Sequence, residues 1–287
     1  MQKLILKISL FAAIFFVLPN SAEAWSKNFD METVDTSIGV GTFGSTISSE
    51  HANSGNNSFK VPLLAGVEND GQHTFSLGGD LHEGDELWAR VFIYVPIGFD
   101  WTAIPITKLL RIAPARADGT EWAYHSILAT NKNNYGCGSE TTFGFMVTGS
   151  ENNSSQSPPP ICQNRNTGDG GAYMTSGQWN SIELYIKVSA INGVIRAWHN
   201  GILRNEYFYP TIPSDGYIPW NRTTSWTQHH LLGWWNGGPS KNQDIYFDDL
   251  VLTNEVPASR DIESNPMIGA NIIDIIAPNA PIGLVVI

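Results

Sequence analysis

Residues 87–95 read Leu87-Trp-Ala-Arg-Val-Phe-Ile-Tyr-Val95, and this stretch decides the fold. The odd-numbered positions are all aliphatic. The even-numbered positions are Trp88, Arg90, Phe92 and Tyr94. Successive side chains of a β-strand point to opposite faces, so this alternation predicts a strand with one face in a hydrophobic core.

The same pattern recurs along most of the chain. Residues 181–188 alternate as cleanly, and Asn192-Gly193 and Asn200-Gly201 then bracket a short apolar run. Asn-Gly favours tight hairpins because both turn positions need positive φ. We therefore expect an antiparallel meander over 181–190, 194–199 and 202–208. Further strands are expected at 58–64, 72–77, 107–113, 122–129, 142–148, 229–235 and 244–253. This many strands, with no amphipathic helical pattern, predicts an all-β fold: a two-sheet antiparallel sandwich of the jelly-roll kind.

The two ends of the chain differ from this middle part. Residues 1–24 combine Lys3 and Lys7, an apolar run and Ala22-Glu-Ala24, which predicts a cleaved signal peptide and an exported, periplasmic or extracellular protein. The sandwich is expected over 25–254. Residues 255–287 are interpreted as a linker followed by an apolar tail that contains two prolines.

Composition excludes several classes of function. Cleavage after residue 24 takes the formal net charge from −11 to −12, so nucleic acid and anionic membranes are poor partners. After residue 24 no apolar run is long enough to span a bilayer. Apolar residues make up 42% of the chain and aromatic residues 11%, which argues against disorder.

The two cysteines, Cys137 and Cys162, agree with export. An exported pair is most simply one disulfide, here closing a loop rich in Ser, Asn and Pro. A metal or redox pair is the weaker alternative because no Cys-x-x-Cys spacing exists.

The terminal strand contains two adjacent acidic residues, Asp248 and Asp249, within the apolar run 243–252. In a regular strand they point to opposite faces, and a buried carboxylate must be paired or bound to metal. With Asn28-Phe-Asp-Met-Glu32 and Gly55-Asn-Asn-Ser58, this strand resembles extracellular carbohydrate-binding jelly rolls, in which both chain ends lie in one sheet. That resemblance implies a structural calcium held by Asp30 or Glu32 together with Asp248 or Asp249. The alternative is that the Asp pair accepts backbone hydrogen bonds at a sheet edge.

A longer resemblance covers residues 85–253. It rests on six segments of the sequence: 85–96, Gly98-Phe-Asp-Trp101, Lys108-Leu-Leu-Arg-Ile112, Gly177-Gln-Trp-Asn-Ser-Ile-Glu-Leu-Tyr-Ile-Lys187, Asn192-Gly-Val-Ile-Arg-Ala-Trp-His-Asn-Gly201 and Tyr246-Phe-Asp-Asp249 in the terminal strand. Together they resemble the concanavalin A-like (lectin/glucanase type) jelly-roll sandwich of polysaccharide lyases of the alginate, glucuronan and heparin lyase type. The resemblance implies β-elimination on uronic acid chains, and its motifs indicate the fold more firmly than the activity.

Such a reaction needs a cation on the C5 carboxylate, a base for the C5 proton and an acid for the leaving oxygen. Arg90 is the candidate cation, with His125 and Tyr94 as candidate base and acid. Lys108 and Arg111 are further candidates, although their odd spacing places them on opposite faces of a regular strand. Each of these residues could instead serve the sandwich itself.

The aromatic residues suggest sugar contact even without catalysis. Trp88, Trp198 and Trp234 could stack on sugar rings, and Arg196 and His230 could bind their polar groups. His229-His230 matches no zinc motif, because adjacent strand residues diverge. Two functions therefore stay open: a polysaccharide lyase, or a non-catalytic carbohydrate-binding module. A polysaccharide partner, anionic for the lyase, is expected in both.

Overall fold

The structure is a computed structural model that describes most of the sandwich. The described residues are 23–34, 44–68, 73–75, 77, 81–100, 106–113, 125–131, 143–149, 174–208, 210–212, 229–232 and 237–270. Residues 1–22 of the expected signal peptide and the apolar end of the tail lie outside them. No helix long and apolar enough to cross a membrane occurs within these ranges.

The described residues form thirteen strands. They are β1 Ser26–Phe29, β2 Thr46–Ser48, β3 Ser58–Leu63, β4 His73–Phe75, β5 Glu86–Tyr94, β6 Ile106–Ile112, β7 His125–Asn131, β8 Phe143–Gly149, β9 Trp179–Lys187, β10 Val194–His199, β11 Ile202–Phe208, β12 His229–Leu231 and β13 Gln243–Thr253. Each segment in which alternation predicted a strand contains one. Only β1 and β2, which have four and three residues, were not predicted.

The strands form two antiparallel sheets, which confirms the expected jelly-roll sandwich. The large sheet has the order β11-β10-β9-β5-β13-β3-β2, with β1 also paired to β13. The small sheet has the order β4-β12-β6-β7-β8. Because β1 pairs with β13, residues from both ends of the domain lie side by side, as the resemblance implied.

The hydrophobic core lies between the sheets. The aliphatic positions of β5 and β9 all face it, and Val91, Ile93, Ile182 and Leu184 have no exposed surface. The small sheet contributes buried residues from four of its strands, β4, β6, β7 and β12. The burial of these core-facing side chains of the two sheets supplies the hydrophobic free energy that holds the sheets together.

The two Asn-Gly pairs form different connections. Asn200 and Gly201 have φ of 49° and 76° and close the two-residue turn between β10 and β11. The expected tight turn at Asn192-Gly193 is wrong, because β9 ends at Lys187 and β10 begins at Val194. The longer connection is held by Ser189, whose hydroxyl accepts hydrogen bonds from the amides of residues 191 and 192.

Residues 255–270, called here the C-terminal segment, are not a free linker. The segment lies on the outer face of the large sheet, and a single bridge between Arg260 and Pro266 closes a turn within it. Asp261 and Ile268 are only 8% and 7% exposed. The sequence analysis did not predict this docking, because the contacts are made by isolated residues that show no periodic pattern in the sequence.

Candidate functional site

The outer face of the large sheet is covered by the protein itself. The indole of Trp88 donates a hydrogen bond to the carbonyl of Pro266 (3.0 Å), and that of Trp198 donates to Asp261 (2.9 Å). Arg90 donates to the carbonyl of Gly269 (3.2 Å). These three residues, expected to face a cleft, therefore lie beneath the C-terminal segment, and the two indoles are at most 2% exposed.

The carboxylate of Glu183 completes this contact, and sequence reasoning did not single it out. It lies opposite Arg90 on the neighbouring strand and accepts hydrogen bonds from the amides of Ile268 (2.6 Å) and Gly269 (3.0 Å). Burial raises the pKa of Glu183 to about 7, against the opposing effect of these hydrogen bonds and of Arg90. Its only sequence signal was an acidic residue at an outward position of an apolar strand.

The other end of the same face is covered by the loop 49–57. The ring of Tyr94 stacks on His51 with centroids 3.9 Å apart. The indole of Trp179 donates to the carbonyl of Ala52 (3.0 Å), and Tyr246 donates its hydroxyl hydrogen to Glu50. The expected catalytic acid, Tyr94, thus belongs to an aromatic group that holds a loop.

Two further sequence candidates lie away from any shared cleft. Arg196 is on the outer face of the large sheet and forms an ion pair with Glu206 (2.7 Å). His125 pairs with Ile112 on the core side of the small sheet, has no exposed surface, and its Nε2 contacts the carbonyl oxygen of Thr211 (2.8 Å). A role for His125 in a cleft does not agree with this position.

The small sheet brings together three other candidates, Lys108, Arg111 and His230. Arg111 pairs directly with His230 on β12, and both alternate with core residues. Leu109 is an extra residue at a β-bulge, because Lys108 pairs with residue 128 and Leu110 with residue 127. The bulge restores Lys108 to the face of Arg111, so the expectation that their odd spacing separates them is wrong.

We call Lys108, Arg111 and His230 the cationic row. Their exposed fractions are 6%, 7% and 0%. Burial first, and then the positive charge of Arg111 with smaller effects of His229 and Lys108, lowers the pKa of His230 to about 2. The imidazole is therefore neutral at ordinary pH, and two cations lie beside it.

This arrangement has a definite chemical capacity. Two cations can hold a carboxylate, and buried charges act more strongly on a bound anion than exposed ones do. A neutral imidazole can accept a proton. A carboxylate bound to the cations would offset their field and raise the pKa of His230 toward neutrality.

The acidic residues near the chain ends hold the loop 49–57. Asp248 accepts hydrogen bonds from the amides of Asn53 (2.8 Å) and Ser54 (3.3 Å). Asp249 accepts from the side chains of the same two residues, both at 2.7 Å. A bulge at Asp249, with φ of 49°, turns both carboxylates toward one loop, whereas a regular strand would separate them.

The candidate calcium ligands therefore do not fit a cage in this arrangement. Glu32 accepts from the amides of Asn56 and Asn57, and Asp30 accepts from the amide of Glu32. Among the described residues no group of three or more His, Cys, Asp or Glu side chains could hold a metal ion. Calcium would need these N–H groups to turn away, and the calcium site implied by the resemblance is tested by chelation.

Some predictions fall on residues that the structure does not describe. Trp234 lies between described ranges, and so do Cys137 and Cys162. Their roles in sugar stacking and in a disulfide stay predictions.

Comparison with known proteins supports the fold class. No family model matches the chain, and no curated protein matches it. Among solved structures it is similar to an alginate lyase, Aly36B, in complex with alginate trisaccharide, with TM-score 0.52, 13% identity, and coverage of 80% of this chain and 98% of that one. It is also similar to an endo-β-1,4-glucuronan lyase from Trichoderma reesei, with TM-score 0.52, 14% identity, and coverage of 80% and 95%. The chain thus has the sandwich of these two lyases over nearly their whole length.

Proposed function

We propose that the protein is an exported polysaccharide lyase that cleaves uronic acid-containing chains by β-elimination at the outer face of the small sheet. The observation that carries this proposal is the cationic row, where Lys108 and Arg111 lie beside the neutral imidazole of His230. The outer face of the large sheet is already occupied by the C-terminal segment, which binds Trp88 and Arg90.

Each residue has a role in the proposed reaction. Lys108 and Arg111 bind the uronate carboxylate, which increases the acidity of the neighbouring C5 hydrogen. His230 takes the C5 proton, the bond from C4 to the glycosidic oxygen breaks, and a C4–C5 double bond forms. The imidazolium then returns a proton to the leaving oxygen, so that atoms and charges balance.

The similar solved structures support this choice of substrate class. One is a lyase bound to an alginate trisaccharide and the other is a glucuronan lyase, and both polymers carry the carboxylate that this reaction needs. The signal-peptide pattern of residues 1–24 supports export to where such polymers occur.

The test is to incubate the purified protein with alginate, glucuronan and heparin and follow the ultraviolet absorbance of the unsaturated product. We expect absorbance to develop on at least one polymer. In Lys108→Met, Arg111→Ala and His230→Asn the rate should fall by about a hundredfold or more, since each removes a group acting on the reacting carbons.

A matched control is Arg196→Ala, which removes a cation from the other sheet and should leave the rate unchanged. Melting temperatures must show that each variant is folded. A rate that survives all three small-sheet substitutions contradicts the site.

The alternative, a non-catalytic carbohydrate-binding module, has less support. Two of its three expected stacking residues, Trp88 and Trp198, are buried beneath the C-terminal segment. Retention on an insoluble polysaccharide, with no absorbance on any of the three polymers, would favour it.

A further inference from the structure

A third bulge lies in the hairpin that β10 and β11 form. The register gives residues 203 and 205 partners at 198 and 197 of β10, and it leaves Arg204 as the extra residue. Leu203 packs in a cluster on the outer face of the large sheet, whereas Asn205 lies opposite the core residue Ala197. Arg204 therefore lies where β11 changes from one face to the other, and the bulge takes its side chain out of the regular alternation.

The guanidinium of Arg204 has a buried N–H group without an acceptor. Its Nε is buried and makes no hydrogen bond, although the residue as a whole keeps some exposed surface. In the described part of the chain no carboxylate forms an ion pair with Arg204, and Glu206, two residues further on, pairs with Arg196 instead (2.7 Å). A buried donor without an acceptor is costly, so an oxygen atom from outside the chain would be bound favourably here.

His199 lies beside this cation. It is the last residue of β10, pairs with the core residue Ile182 and is 5% exposed. Its Nε2 contacts the side-chain oxygen of Asn180 (3.2 Å), and this oxygen can only accept, because the amide nitrogen of Asn180 donates to backbone carbonyls. Burial first, and then the positive charge of Arg204, lowers the pKa of His199 to about 4. An anion next to Arg204 would act in the opposite direction.

These two residues lie at an edge of the sandwich. β11 is the last strand in the order of the large sheet, and β8, the last strand of the small sheet, comes close to it. Because Arg204 is partly exposed at this edge, a small ligand can reach it without parting the two sheets. The place is separate from the cationic row, whose residues belong to β6 and β12.

We propose that Arg204 binds an oxyanion, a carboxylate or a phosphate group, at this edge, with His199 beside the bound group. Arginine holds such groups through two parallel N–H bonds, and the buried Nε supplies one of them. The anion also offsets the positive charge that acts on His199. This site is independent of the proposed lyase reaction, because it shares no residue with the cationic row.

The test follows the imidazole signal of His199 by NMR in the purified protein with isotope-labelled histidine, the signal being assigned from His199→Gln. Inorganic phosphate, glucuronate and a glucuronate tetramer are added in separate titrations. We expect a saturable shift of this signal, and an affinity lower by about tenfold or more in Arg204→Gln, since a charged pair of donors is lost. Because the signal reports on His199, binding at the cationic row is not mistaken for binding here.

The matched control is Arg260→Gln, which removes the same charge from an exposed residue that contacts backbone carbonyls, and it should leave the affinity unchanged. Arg204→Lys keeps the charge without the planar fork and should bind with intermediate affinity. If Arg204→Gln does not fold, Arg204→Lys decides alone.

The three ligands distinguish the source of the anion. A saturable shift with phosphate supports a site for free oxyanions, and a shift with the tetramer alone supports a site for the carboxylates of a polymer. No saturable shift with any ligand overturns the proposal, and so does an affinity that neither substitution of Arg204 changes.

Discussion

At Leu109, one extra residue in β6 places Lys108 and Arg111 on the same face of the small sheet. At Asp249, a second bulge turns two adjacent carboxylates toward a single loop. Both bulges interrupt the alternation from which side-chain directions are inferred, and both lie where charged residues meet. The cationic row and the contacts of the Asp pair therefore depend on single residues that break the strand period.

The first residue-scale prediction concerns metal dependence. The carboxylates of Asp248 and Asp249 already accept hydrogen bonds from Asn53 and Ser54, so the loop does not need a cation to be held. We expect the melting temperature to be the same with calcium and with an excess of chelator. A lower melting temperature in chelator that calcium restores would establish the site inferred from the resemblance.

The second residue-scale prediction concerns acid stability. Burial lowers the pKa of His125 to about 4, while its contact with Thr211 acts in the opposite direction. The unfolded chain, with a histidine pKa of about 6.5, takes up a proton first, so stability present above pH 6.5 is lost as the pH falls toward 4. The loss from this residue amounts to about 3 kcal/mol.

Urea unfolding of the wild type and His125→Gln at several pH values checks this prediction. Glu183 and Asp248, whose pKa values burial raises to about 7, have the opposite dependence, since their contribution to stability is lost as the pH rises through 7. The difference between the two proteins isolates the histidine, and we expect it to shrink below pH 6.5. If the unfolding free energies of the two proteins changed with pH in parallel, the prediction for His125 would be contradicted.

At the scale of elements, the central strands of the large sheet are buried on both faces. In β9 the residues Ile182 and Leu184 face the core, whereas Glu183 and Tyr185 lie under the C-terminal segment and its neighbours. Alternation of apolar and polar residues usually indicates that one face of the strand is exposed to solvent. Here the C-terminal segment, which comes much later in the chain, covers the outer face. From the sequence alone Arg90 and Trp88 therefore resembled cleft residues.

The turn between β10 and β11 gives a prediction at this scale. Gly201 has φ of 76°, and a Cβ there would lie 3.5 Å from that of Ala270, an ordinary contact. Gly201→Ala should therefore destabilise by backbone strain alone, about 1 kcal/mol. Gly201→Asn, which tolerates positive φ, should cost less. Chemical denaturation measures both, and equal losses would show that the side-chain contact matters instead.

At the scale of the whole molecule, a chain with net charge −11 is proposed to bind an anionic polymer. Long-range repulsion opposes encounter, and salt screens it as the Debye length falls from about 30 Å at 0.01 M to about 10 Å at 0.1 M. The buried cationic row is screened much less.

We expect kcat/KM on the cleaved polymer to rise between 0.01 M and 0.1 M salt. A steady fall over this range would contradict the idea that the row works beneath an acidic surface.

The candidate site could be only partly predicted. Lys108, Arg111 and His230 were all named as substrate-binding residues, because cations and imidazoles at strand positions suggest contact with an anion. Their meeting on one face could not be predicted, since it depends on a bulge and on the pairing of β12 with β6, more than a hundred residues apart in the chain. From the sequence alone, Arg90, Tyr94 and His125 were equally good candidates. In the fold, Arg90 lies beneath the C-terminal segment, Tyr94 lies beneath the loop 49–57, and His125 lies on the core side of the small sheet.

The sequence by itself determined the strands and the sandwich. Alternation is a local property, and burying one face of each strand is the dominant source of apolar free energy, so the pattern and the fold agree. The tertiary structure alone decided which polar residues meet. Bulges, strand order and the docking of residues 255–270 depend on partners far apart in the chain, and such contacts leave no period in the sequence.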